Sequence, residues 1–240
     1  MWQSSRALLF DKDGTLIDFH LKWLTWCRIV AETVSIECPA IHDLEGKMKV
    51  WGVNLLTGEV DPYGLLATGS TQSLLESLAH KIEPACKSRD EASGFIFKAM
   101  QVAYRATAKH ELVRALPGVS TAIKELPRLG YILAVVTTDD ASEAEKDLRI
   151  LGLDRYFTVI MGCDLVKNCK PAPDLVLETC RRLAVDPSEV CVIGDTAADM
   201  KMARNAGAAC RIGVAAGVTP REGLIQVADI VLDSMEDFMP

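Results

Sequence analysis

The sequence predicts an α/β fold, a doubly wound (Rossmann-like) parallel sheet with an α-helical domain inserted after its first strand. Three features predict it. The apolar run Ala7-Leu8-Leu9-Phe10 has strand length and ends abruptly in two carboxylates, Asp11 and Asp13, before Gly14-Thr15 turns the chain. Beyond Leu116-Pro117-Gly118, short apolar runs alternate with amphipathic stretches, as in βα units that build a parallel sheet. Between these parts, residues 19–114 carry helical periodicity and no strand pattern. The expected division is a core of residues 1–18 and 115–240 and a helical domain of residues 19–114.

Taken in order, 19–35 carries an apolar stripe through Leu21, Leu24, Cys27, Ala31 and Val34. From 41 to 69 the glycines at 46, 52, 58, 64 and 69 suggest short helices broken by loops. Residues 71–82 and 89–108 are helical again, the first opened by Ser-Thr. Trp23, Trp26 and Trp51 suit the core of this block. In the second part, 119–129 is a helix closed by Gly130, and 131–136 is a strand ending in Thr137-Thr138-Asp139-Asp140. Ser142 with Glu145 predicts a capping box for a helix that ends at Gly152. Strands follow at 156–161, 190–193, 209–212 and 230–232, with helices at 173–183, 196–206 and 220–227 between them.

Composition narrows the function classes. With 240 residues the chain fits one large domain or a core with a sizeable insertion. A net charge of -7 and a pI near 5.2 argue against nucleic-acid or anionic-membrane partners. No apolar run has the length of a bilayer span, and Met1-Trp2-Gln3-Ser4-Ser5-Arg6 lacks the pattern of a secretory signal, so a cytoplasmic protein, monomer or homodimer, is expected. Eight cysteines include no CxxC pair, and several, such as Cys191, read as buried thiols. His20, His42, His80 and His110 are dispersed, which disfavours a histidine metal site.

Ligands of an open parallel sheet bind beyond the carboxyl ends of its strands. Those ends here offer Asp11 and Asp13, then Thr137, then Lys170 from a following loop, then Asp195 and Asp199. Two carboxylates about 4 Å apart repel by roughly 4 kcal/mol at an effective dielectric near 20, so Asp11 beside Asp195 calls for a cation. Magnesium suits an all-oxygen cluster and accepts a phosphate oxygen. A lysine and a hydroxyl opposite would hold the remaining phosphoryl oxygens. Singly, each residue has a plainer reading as a helix cap, a dipole-favoured acid or a solvated lysine; the ordered set favours chemistry.

The set Asp11-Lys12-Asp13-Gly14-Thr15, Thr137, Lys170-Pro171-Ala172-Pro173-Asp174 and Gly194-Asp195-Thr196-Ala197-Ala198-Asp199 resembles the four motifs of the haloacid dehalogenase-like hydrolase superfamily. The placement of the helical block resembles the cap of its phosphoglycolate phosphatase-like members. The resemblance implies a magnesium-dependent phosphatase that acts on a small phosphorylated metabolite through an aspartyl-phosphate. Asp11 would be the nucleophile and Asp13 the acid/base; Thr137 (or its neighbour Thr138) and Lys170 would bind the phosphoryl group. Asp11, Asp195 and the Asp13 carbonyl would hold the metal, Asp199 would orient Lys170, and Gly14 would permit the close turn. A phosphomutase of the beta-phosphoglucomutase type is the alternative. Lys12 departs from the apolar residue common at its position. It would either draw in an anionic substrate or face solvent or a carboxylate of the cap. Among basic residues of the block, Lys22, Lys47, Lys49, Arg105 and Lys109 are candidate cleft residues.

Overall fold

The computed structural model describes residues 2–41 and 43–238; Met1 and His42, considered above, lie outside the described residues. Six strands, β1 (Ala7–Phe10), β2 (Ile132–Val136), β3 (Val159–Met161), β4 (Val190–Gly194), β5 (Cys210–Val214) and β6 (Ile230–Leu232), pair in parallel in the order β3-β2-β1-β4-β5-β6. The chain winds outward from β1 in both directions, so the switch point lies between β1 and β4. Side chains alternate across the sheet: Leu8 and Phe10 join one apolar cluster, Ala7 and Leu9 the other. Both faces are covered, which explains why β1 is apolar throughout rather than alternating.

Two details differ from the expectations. β3 begins at Val159 because Asp154–Tyr156 forms a 3-10 turn ahead of it. The helix Ala141–Ile150 starts one residue before Ser142, so the predicted Ser142–Glu145 box does not form. Asp164 Oδ1 accepts from the Ala141 amide at 2.8 Å, satisfying from across the sheet end one of the amides that a cap would serve. Capping boxes form instead at Asp186–Glu189 and at Thr196–Asp199.

Residues 19–104 build their own apolar cluster. Its frame is the helices Phe19–Glu37, Thr71–Ile82 and Arg89–Thr107, with short turns at Leu44–Lys47, Met48–Trp51 and Leu65–Thr68. Each long helix has a side-chain N-cap, from Asp18, Ser70 and Ser88 respectively. Trp26 is fully buried, with ring centroids 5.1 Å from Trp23, 5.7 Å from Trp51 and 5.4 Å from Tyr104. Trp51 donates its indole N–H to the Leu74 carbonyl at 2.9 Å. The block joins the sheet through two adjacent crossings, where Asp18 donates its amide to Arg114 O at 2.9 Å and Ile17 bridges to Ala115.

Because three aromatic rings pack on Trp26, Trp26→Ala is expected to cost about 3–5 kcal/mol of stability. Urea unfolding measures it, and a loss below about 1 kcal/mol would show that the cluster closes up around the missing indole.

Candidate active site

Asp11 follows β1 directly, and its amide donates to the Ile193 carbonyl of β4 at 2.8 Å, carrying the sheet register one residue beyond the strand. Asp195 follows β4. The two carboxylates therefore meet at the switch point, where the parallel fold places ligands. Asp199 comes from the first turn of the helix Ala197–Ala206. Its Oδ2 accepts from the Thr196 amide at 3.0 Å, and the Thr196 hydroxyl in turn accepts from the Asp199 amide at 3.2 Å. That box leaves Oδ1 for Lys170, 2.6 Å away. Lys170 Nζ also lies 2.5 Å from Asp11 Oδ1, so one buried ammonium bridges two buried carboxylates.

Asp11, Asp195 and Asp199 bring carboxylate oxygens within 4.8 Å of one another. Asp195 is fully buried; its Oδ2 accepts from the Val218 amide at 2.8 Å, while its Oδ1 has no hydrogen-bond partner. A buried acceptor left unpaired is costly, and an all-oxygen donor set of this kind suits a hard divalent cation. Glycines make the space. Gly14, at φ +83°, and Gly217 each lie where a Cβ would run into the Asp195 carboxylate. Burial pushes the Asp11 carboxyl up to about 7, with Lys170 opposing and Asp199 and Asp13 adding to it. Burial, then Asp11 and Asp199, push Asp195 well above the carboxylate range. For Lys170, burial works against the charge, but Asp11 and Asp199 outweigh it and raise its pKa.

Asp13 stands apart from this cluster. Its Oδ2 pairs with Lys12 Nζ at 2.8 Å, and its Oδ1 is buried without a partner. A narrow, partly open space of about 20 Å³, room for one water, lies between the strand ends and the helical block. Asp11, Asp13, Thr138, Lys170 and Asp195 line it from the sheet, and Phe19, Trp23, Leu66, Thr71 and Leu74 from the helices.

Other expectations change. Of the two threonines named for the phosphoryl group, Thr138 lines this space and Thr137 is buried in the turn after β2, its Oγ1 accepting from the Asp139 amide at 3.1 Å. Lys12 faces neither solvent nor a carboxylate of the helical block. It is fully buried, with Asp147 at 2.7 Å and Asp139 at 3.0 Å, both carried by the sheet's own connections. Lys22 is turned inward to the same two aspartates. Trp23 belongs both to the helical core and to the cavity wall. Sequence reading passed over Gly217, Val218, Asp139 and Asp147. Asp139 ends a strand and was visible as such, while Gly217 and Val218 sit in a loop with no chemical signal. Cys163 and Cys169 lie side by side, with Cα atoms 5.4 Å apart, in the loop that leads to Lys170, a pairing that the cysteine spacing did not suggest.

Three buried carboxylates facing one lysine carry excess negative charge. Asp195→Asn is therefore expected to raise the melting temperature of the protein in a chelating buffer at pH 8, by a few degrees. A fall would mean that the Val218 hydrogen bond outweighs the repulsion.

A family model described as haloacid dehalogenase-like hydrolase matches residues 5–207. A phosphorylated carbohydrates phosphatase of Thermotoga maritima is 28% identical over 233 residues, covering 97% of this chain and 96% of the relative. A pyrophosphatase of Bacillus velezensis is 31% identical over 237 residues, 97% of this chain and 94% of the relative. Among solved structures, a predicted phosphoglycolate phosphatase from Haemophilus somnus superposes with a TM-score of 0.76 at 20% identity, over 98% of this chain and 96% of that one. Sheet order, carboxylate cluster and family match agree: the chain belongs to the haloacid dehalogenase-like hydrolases.

Proposed function

We propose that this phosphatase is magnesium-dependent and hydrolyses a small phosphomonoester through an aspartyl-phosphate on Asp11, with residues 19–114 acting as a cap. The observation that carries the reading is the arrangement of Asp11: beside a bridging lysine, within 4.8 Å of two further carboxylates, and two residues before an acid with a free oxygen. A divalent ion held by Asp11 and Asp195, with the Asp13 carbonyl, would neutralise phosphoryl charge and favour the ionised form of the carboxylates.

An Asp11 carboxylate oxygen forms a bond to phosphorus as the bond from phosphorus to the ester oxygen breaks. Asp13 gives its proton to that departing oxygen, releasing the alcohol. It then takes a proton from a water whose oxygen attacks the same phosphorus, which returns Asp11 and liberates phosphate. Lys170 supplies positive charge against the phosphoryl oxygens, and Asp199, fixed by Thr196, holds it there. Thr138 supplies a hydroxyl on the cavity wall. The space between the strand ends and the helical block is narrow, and a swing of the cap about the paired crossings near Asp18 and Ala115 would widen it for substrate.

The organic part of the substrate would meet Phe19, Trp23, Leu66 and Leu74, with Thr71 as a polar contact. This wall suits a compact group. Phosphoglycolate and sugar phosphates, named for relatives and fold neighbours, are the first compounds to test.

A phosphate-release screen over these esters is expected to show turnover that disappears with chelation and returns with magnesium. Asp11→Asn should abolish it, and Asp13→Ala should lower kcat/KM by about 10²–10⁴-fold. Turnover retained by Asp11→Asn would overturn the covalent route, and isomer formation in place of phosphate release would mark a phosphomutase.

A further inference from the structure

Behind Asp13 lies a second buried ionic cluster that the reaction as described does not use. Lys12 has no exposed surface and places Nζ 2.7 Å from Asp147 Oδ2, 2.8 Å from Asp13 Oδ2 and 3.0 Å from Asp139 Oδ2. Two groups from the helical block enter the same cluster. Lys22, on the helix Phe19–Glu37, donates to Asp147 Oδ2 and lies 3.8 Å from Asp139. Tyr104, on the helix Arg89–Thr107, donates its hydroxyl to Asp139 Oδ1 at 2.8 Å. The face of Trp23 lies 5.4 Å from Lys22 Nζ and 6.0 Å from Lys12 Nζ.

The arrangement has a direction. Three carboxylates, two lysines and one hydroxyl are packed together, all buried except Asp13, which keeps some exposure, and two members, Asp13 and Asp139, also border the cavity. With the helical block in place, two cations face three anions. With it swung away, Lys22 and Tyr104 leave, and Lys12 alone must serve Asp13, Asp139 and Asp147. A lysine shared among three carboxylates holds each less firmly than one relieved by a second cation and a hydroxyl donor. Closure therefore frees Lys12 for Asp13. Pinning Oδ2 of Asp13 leaves Oδ1, the oxygen with no partner, to exchange a proton with the ester oxygen.

We propose that Lys12 is a positioning residue for Asp13, and that Lys22 and Tyr104 complete its carboxylate shell, so that Asp13 is held for proton transfer only when the helical block is closed over the sheet. The inference rests on the acid/base reading of Asp13.

The test compares two leaving groups. In forming the aspartyl-phosphate, an alkyl ester such as glycerol 2-phosphate needs a proton on its departing oxygen, whereas 4-nitrophenyl phosphate does not. The constant kcat/KM reports that first step. Lys12→Met is expected to lower kcat/KM for glycerol 2-phosphate on the order of 100-fold, and Tyr104→Phe roughly 10-fold, with losses at least several times smaller for 4-nitrophenyl phosphate. Tyr104→Phe removes one oxygen and keeps the ring, and Lys12→Met/Asp147→Asn removes opposite charges together, and these are the variants to measure if Lys12→Met does not fold. Equal losses on the two esters, or no loss on either in folded variants, would overturn the positioning role. Asp13→Ala losing activity equally on both would overturn the acid assignment beneath it, and a wild-type protein that turns over neither ester would overturn both.

Discussion

Burying several carboxylates at the meeting point of two central strands is the constraint on which the rest of this molecule depends. Asp11 and Asp195 are brought together by register, because β1 and β4 are neighbours and both strands end where the winding reverses. At such separations the repulsion is a few kcal/mol even with generous screening, a sizeable share of a domain's net stability. The fold offsets it with one cation, Lys170, and with glycines that let backbone approach the carboxylates closely enough for an amide to reach them. What it leaves is an unpaired Asp195 oxygen and raised Asp11 and Asp195 carboxyls, the features of a site that binds positive charge.

The same principle operates a few ångströms away with a different outcome. Around Lys12, the negative charge of Asp13, Asp139 and Asp147 is met by protein cations rather than left for a ligand. For Lys12, burial works against the charge, but Asp13, Asp147 and Asp139 outweigh it and hold the ammonium charged. The two clusters touch through the Asp11-Lys12-Asp13 segment, in which Asp11 turns to one and Lys12 and Asp13 to the other. The step from Asp11 to Lys12 thus passes from the carboxylate that Lys170 bridges to the lysine that Asp13, Asp139 and Asp147 share.

Sheet and helices were legible because their signals are local and repeated. Apolar runs of strand length, Gly130 and Gly152 after helices, and Ser70 before one each act within a few residues. The motif acids were legible because strand ends are a fixed place in a parallel sheet, so Asp11 and Asp195 could be brought together without coordinates. Lys12 was not. Its partners lie 127 and 135 residues away at Asp139 and Asp147, and nothing in the segment Asp11-Lys12-Asp13 tells whether its lysine turns out or in. Thr137 and Thr138 are adjacent hydroxyls after β2, and nothing in the sequence tells which of them the following turn aims at the cavity. Gly217 and Val218 carry no chemical signal at all; their part is to be absent of bulk and to offer one amide.

The position of the helical block follows from these charges as well as from its apolar packing. Its own cluster closes without the sheet, so hydrophobic burial alone would let it sit at several angles on the two crossings. Lys22 and Tyr104 remove that freedom, because only one orientation delivers an ammonium to Asp147 and a hydroxyl to Asp139 together. Directional contacts of this kind contribute little net stability once desolvation is counted, but they discriminate sharply between arrangements. In the arrangement these contacts select, Trp23 and Phe19 lie over the carboxylates and narrow the space beside them.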